Sequence, residues 1–96
     1  MSEYLLRSVD DDWFDLPADQ LPEVLRPNTI ESSPVTGWGD HRIAVEGAEI
    51  AFSYEDPGIQ VIIEGTIPET IARRIIEEVL ANVERSTGLR GRIVEL

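Results

Sequence analysis

Cysteine is absent from this chain of 96 residues, which excludes disulfides and thiolate chemistry and frees folding from any need for an oxidising compartment. Histidine occurs once, at His41, too few for a zinc site in a chain without cysteine. Long apolar runs are missing as well: nothing approaches the ~18 residues that a membrane span requires. The start, Met1-Ser2-Glu3-Tyr4-Leu5-Leu6-Arg7, lacks the basic opening and apolar core of a secretion signal, so a cytoplasmic protein is expected. Positive charge is scarce. Eight basic residues, all arginine, face nineteen acidic ones, and the net charge of −11 repels nucleic acid and anionic membranes while favouring a partner with a basic surface.

Length bounds the rest. A chain of 96 residues makes a single domain, 1–96, with one modest core and no room for a deep, enclosed active site beside it.

The most ordered pattern lies in the C-terminal half. Runs at 41–45 and 48–54 are separated only by Glu46-Gly47, the spacing of a two-residue hairpin, which sets Val45 opposite Ala48, Ile43 opposite Ile50 and His41 opposite Phe52. A second turn at Glu55-Asp56-Pro57-Gly58 leads into a strand at 59–64 and sets Tyr54 opposite Ile59, Phe52 opposite Val61 and Ile50 opposite Ile63. Both registers bring the large apolar residues to the same face, so the two turns support one antiparallel meander. Thr66-Ile67-Pro68-Glu69 has the spacing of a capping box and predicts a helix over 67–87. Its apolar stripe is Ile71, Ala72, Ile75, Ile76, Val79, Leu80 and Val83, with Gly88 as the left-handed residue that ends it. A closing strand at 92–96 follows, with Val94 and Leu96 expected to point inward, and one further strand is read at 4–9. The expected fold is α+β: a two-layer domain with the meander packed on one amphipathic helix.

The second face of that meander carries Arg42, Ala44, Glu49, Ala51, Ser53, Gln60, Ile62 and Glu64. An antiparallel sheet tolerates water on one face, so solvation, coverage by the N-terminal segment and use as a contact all remain open. Between the first strand and the meander, residues 10–40 read as an irregular, proline-containing segment. Asp15 is a candidate cap for a short helical turn reaching Leu25, with Pro22 as an interruption, and 27–39 reads as a long loop holding Ile30, Val35 and Trp38 as its apolar anchors.

Candidate chemistry is thin. Asp40 and His41 are an acid and a base adjacent in sequence, but neighbours on a strand point to opposite sides, and His41 is expected to pack against Phe52. Glu49 and Glu64 should face each other on the open side, where Arg42 can compensate them in solvent; a flat sheet offers no cleft to make the pair catalytic or metal-binding. The run Asp10-Asp11-Asp12-Trp13-Phe14-Asp15 lacks the glycine and distal glutamate of a calcium loop, yet acidic residues flanking two aromatics suit a contact in which charge steers and rings are buried. No catalytic residue, metal ligand or cofactor is expected. The candidate contact residues are Asp10, Asp11, Asp12, Trp13, Phe14 and Asp15, together with Trp38, Arg42, Glu49, Ile62 and Glu64. In size and acidity the chain resembles the small immunity proteins that neutralise bacterial toxins, or the small acidic chaperones of secretion systems, which implies a protein-binding module with an inhibitor or immunity role as its most concrete form. The alternatives are a self-associating domain that dimerises through the open sheet face, or a small enzyme or ligand-binding domain.

Overall fold

The computed structural model describes residues 2–55 and 58–96. Strands β1 (Ser2–Ser8), β2 (Ser33–Pro34), β3 (His41–Val45), β4 (Ala48–Glu55), β5 (Gly58–Gly65) and β6 (Gly91–Glu95) form one antiparallel sheet in the order β2-β3-β4-β5-β1-β6. A short 3₁₀ turn, Ala18–Gln20, runs into helix α1 (Leu21–Val24), and the long helix α2 (Glu69–Thr87) packs on one face of the sheet. The α+β meander read from the sequence is present with the registers expected: Val45 pairs with Ala48, Ile43 with Ile50, His41 with Phe52, Phe52 with Val61 and Tyr54 with Ile59. Of the second predicted turn, Asp56 and Pro57 lie outside the described residues.

Strand alternation and helical periodicity converge on one core, in which Leu6, Ile43, Ile50, Phe52, Val61, Ile75 and Val79 are fully buried. The irregular segment contributes Phe14, Leu16, Leu21, Val24 and Leu25 to the same cluster. Gly88 ends α2 in the left-handed region at φ 75°, and its N–H donates to the Glu84 carbonyl at 2.8 Å.

Four expectations are corrected. Helix α2 begins at Glu69, not at 67, and Thr66 caps nothing: its N–H donates instead to the Gly47 carbonyl at 3.1 Å. The reason is local, since Ile67 precedes a proline and that position disfavours the helical region; Pro68 itself remains extended at ψ 141°. In β6 the phase is off by one residue. Ile93 pairs with core residue Leu6, while Val94 pairs with Leu5 on the opposite face and Leu96 is 63% exposed. Pro22 lies in the first turn of α1, where no backbone donor is lost, and Asp15 does not cap it. Finally, the long loop contains a two-residue strand, with Ser33 paired to Ala44 and Pro34 to Ile43 at the sheet edge.

Candidate protein-binding surfaces

The face of the sheet turned away from α2 collects five of the contact candidates. Glu49 pairs directly with Glu64 and Ala51 with Ile62, while Arg42 lies beside Ala51 on the neighbouring strand. Two like charges face to face destabilise a sheet. Arg42 resolves this by donating from Nε to Glu49 Oε1 at 2.7 Å and from Nη2 to Glu64. Its side chain is only 11% exposed, and the hydrogen bonds to Glu49 and then Glu64 hold its ionisation above the ordinary arginine value.

A strap of chain covers this corner. The Trp38 ring centroid lies 5.5 Å from the Arg42 guanidinium carbon, and the ring remains 51% exposed. Close approach requires glycine on both sides of that ring. A Cβ at Gly37 would fall 2.5 Å from Arg42 Cδ, and one at Gly39 would fall 3.0 Å from the Phe52 carbonyl oxygen. The strap is fastened where Asp40 N–H donates to the Phe52 carbonyl at 2.8 Å and the Asp40 carboxylate accepts the Tyr54 N–H at 2.7 Å. So part of the second sheet face is covered, by the end of the irregular segment. Strands β1 and β6 extend the uncovered part with Glu3, Leu5, Arg7, Arg92 and Val94.

The acidic run forms a different surface at the end of β1. Ser8, buried, accepts the N–H groups of Asp10 and Asp12 at 3.1 Å each, and Asp11 takes a left-handed φ of 60° while its carboxylate contacts Arg7. The chain then turns so that Trp13 and Phe14 part company. Trp13 is 48% exposed and leans on Tyr54 with ring centroids 5.3 Å apart, whereas Phe14 is 1% exposed and packs near Gly91. Phe14 is therefore a core residue and leaves the set of contact candidates. Asp15 and Asp40 lie near enough to Tyr54 for their charges to act on it, Asp10 and Asp12 are exposed carboxylates just before Trp13 in the chain, and the Tyr54 hydroxyl is buried. Burial, reinforced by the charges of Asp15 and Asp40, outweighs the opposing effect of the Leu16 backbone and pushes its ionisation up.

His41 belongs to neither surface. It stacks on Phe52 at 6.3 Å, its Nε2 is buried without a partner, and burial lowers its pKa below the ordinary 6.5. Since Asp40 is committed to Tyr54, the two residues adjacent in sequence do not form an acid–base pair. Among the described residues no group of three or more His, Cys, Asp or Glu is placed to hold a metal ion. An apolar groove of about 460 Å³ lies between Ile30, Val45, Ile67 and Ile71, with Glu31 and Glu46 lining it.

One polar cluster escaped sequence reasoning. Asn82, buried on the core stripe of α2, donates to the Arg26 carbonyl at 2.9 Å and the Val24 carbonyl at 3.3 Å, and pairs with the Asn28 amide. One turn earlier, Glu78 accepts the N–H groups of Asn28 at 2.7 Å and Thr29 at 2.8 Å, and the Thr29 hydroxyl. Burial would raise the Glu78 pKa, but these bonds and the nearby Arg74 charge outweigh it and hold the carboxyl below its ordinary value. An asparagine in phase with Ile75 and Val79 was the available signal, because a buried amide demands partners.

No family model, curated protein or solved structure matches this chain.

Proposed function

We propose that this chain is a cytoplasmic protein-binding module, not an enzyme, that takes a basic protein at its acidic end, with an inhibitor or immunity role as the most concrete form. The observation that carries the reading is Trp13, held half-exposed against Tyr54, with the charges of Asp15 and Asp40 acting on that tyrosine and the exposed Asp10 and Asp12 just before Trp13 in the chain. A tryptophan buries up to ~250 Å² in a core or interface, so covering the exposed half of this ring is worth about 2–3 kcal/mol. The aspartates steer a cationic partner toward the ring and lose that effect as salt shortens the Debye length from ~10 Å at 0.1 M to ~3 Å at 1 M.

Capture of the partner from the source cell, followed by association kinetics at the two salt concentrations, tests this. Trp13→Ala should raise the off-rate by about 30- to 150-fold, the equivalent of 2–3 kcal/mol. Joint replacement of Asp10, Asp12 and Asp15 by asparagine should slow association and leave the off-rate nearly unchanged. A partner whose on-rate ignores salt and these aspartates overturns the reading. A neighbouring gene encoding a basic toxin would support the inhibitor role.

A further inference from the structure

The part of the outer sheet face that the strap leaves open has its own internal symmetry. Its centre is a row across three adjacent strands, Gln60 on β5, Leu5 on β1 and Val94 on β6. Along β1, Glu3 lies two residues to one side of Leu5 and Arg7 two residues to the other, each ~6.8 Å away at strand rise. We infer that this surface is a homodimer interface, in which two copies pack face to face about a two-fold axis lying in the interface and running along the row Gln60, Leu5, Val94.

A two-fold in that direction lays each strand over the reversed copy of itself. Glu3 of one protomer then meets Arg7 of the other, twice, while Gln60, Leu5 and Val94 each meet their own counterparts. Arg7 contacts Asp11 through one Nη only, and an arginine has five N–H donors, so it can serve both carboxylates. The charge balance of this face suits self-association. On β5, β1 and β6, Arg7 and Arg92 stand against Glu3 and Glu64, so the open part is neutral in a chain that carries −11. Two such acidic molecules can therefore touch here with little local repulsion. Three strands ~14 Å wide and about seven residues (~23 Å) long cover roughly 330 Å² before corrugation, short of the ~800 Å² per partner of a standard interface, so the dimer is a weak one.

This surface is distinct from the acidic end, and salt separates the two by sign. Docking of a basic partner weakens as salt rises, whereas self-association of two chains of charge −11 strengthens, because screening removes the long-range repulsion. Sedimentation equilibrium up to ~1 mM protein should show the mass rising toward twice 10.7 kDa, with association at least fivefold weaker in ~0.05 M than in ~0.5 M salt. Glu3→Arg alone and Arg7→Glu alone should each be monomeric, and an equimolar mixture of the two should dimerise, because mixing restores opposite charges at both contacts. The absence of native cysteine allows an independent check. Gln60→Cys, on the axis, should oxidise to a covalent dimer, while Ala81→Cys, on the exposed side of α2, should not. The cysteine pair decides the matter even if a charge variant fails to fold. A monomer at ~1 mM in ~0.5 M salt, a mixture that stays monomeric although both variants fold, or equal cross-linking at the two cysteine positions overturns the proposal.

Discussion

His41 and Asn82 are polar side chains placed against the core, and the consequences of that placement differ. Burial lowers the folded-state pKa of His41 below the 6.5 it has in an unfolded chain. The unfolded chain therefore binds its proton more tightly, and stability falls as pH drops through 6.5, levelling off below the folded-state value. Melting curves between pH 7.5 and 5.5 should show this decline, and His41→Gln should flatten it in that window; an unchanged slope would place the titration elsewhere. Glu78 acts lower on the scale. Its depressed pKa adds stability that is present above the ordinary carboxylate value of 4.5 and is lost as pH falls through the folded value, so the two groups are separable in one titration. Asn82→Ala strips hydrogen bonds from the Val24 and Arg26 carbonyls and from Asn28, and should cost about 1–3 kcal/mol in urea denaturation with an unchanged m-value.

Helix α2 owes its position to one stripe, so single residues in and out of phase should separate sharply. Ile75 is fully buried between helix and sheet; Ile75→Asp introduces an unpaired buried charge, a loss of several kcal/mol against a total stability on the order of 5–15, and should unfold the domain. Arg74→Asp, one residue earlier on the exposed side, should cost under about 1 kcal/mol. Circular dichroism melts of the pair check the helical phase directly. At the end of the same helix, a Cβ on Gly88 would meet no atom within 4 Å, so Gly88→Ala isolates the backbone cost of φ 75°. That cost should be about 1 kcal/mol, read from the shift in unfolding midpoint; no shift would mean that the last turn frays freely.

Across the whole molecule, nineteen acidic residues on a surface with eight arginines make self-repulsion a standing load on the folded state. Local pairs relieve it only in places, as where Arg42 spans Glu49 and Glu64 and where Arg7 meets Asp11. Raising salt from ~0.01 M to ~0.5 M should therefore raise the melting temperature, measured at a dilution where no dimer forms, because screening shrinks the Debye length from ~30 Å to a few ångströms. A fall in melting temperature over that range would show that the short ion pairs outweigh the net charge. On the proposed function the acidic end would receive a basic partner, and on the proposed dimer the nearly neutral outer sheet face would receive a second copy.

What could be read in advance was what local geometry controls. Two short turns of known length set the registers of β3, β4 and β5, and a side-chain period of two then dictated which residues share a face, including Glu49 opposite Glu64. Helical periodicity did the same for the stripe of α2. The rest depended on contacts between residues far apart in the chain. Insertion of β1 between β5 and β6 could not be inferred from either segment alone, and it reversed the phase of the last strand, because Ile93 must lie beside Leu6. The start of α2 was legible in principle, since Ile67 precedes a proline, but the capping-box spacing was the more conspicuous signal. Trp13 and Phe14 show the limit most plainly. They are adjacent and nearly equivalent in composition, and only the turn built on Ser8 and the space beside Gly91 decide that one is core and the other is surface. Local patterns repeat within a few residues and carry their own register, whereas burial is settled by where the distant parts of the chain come to rest.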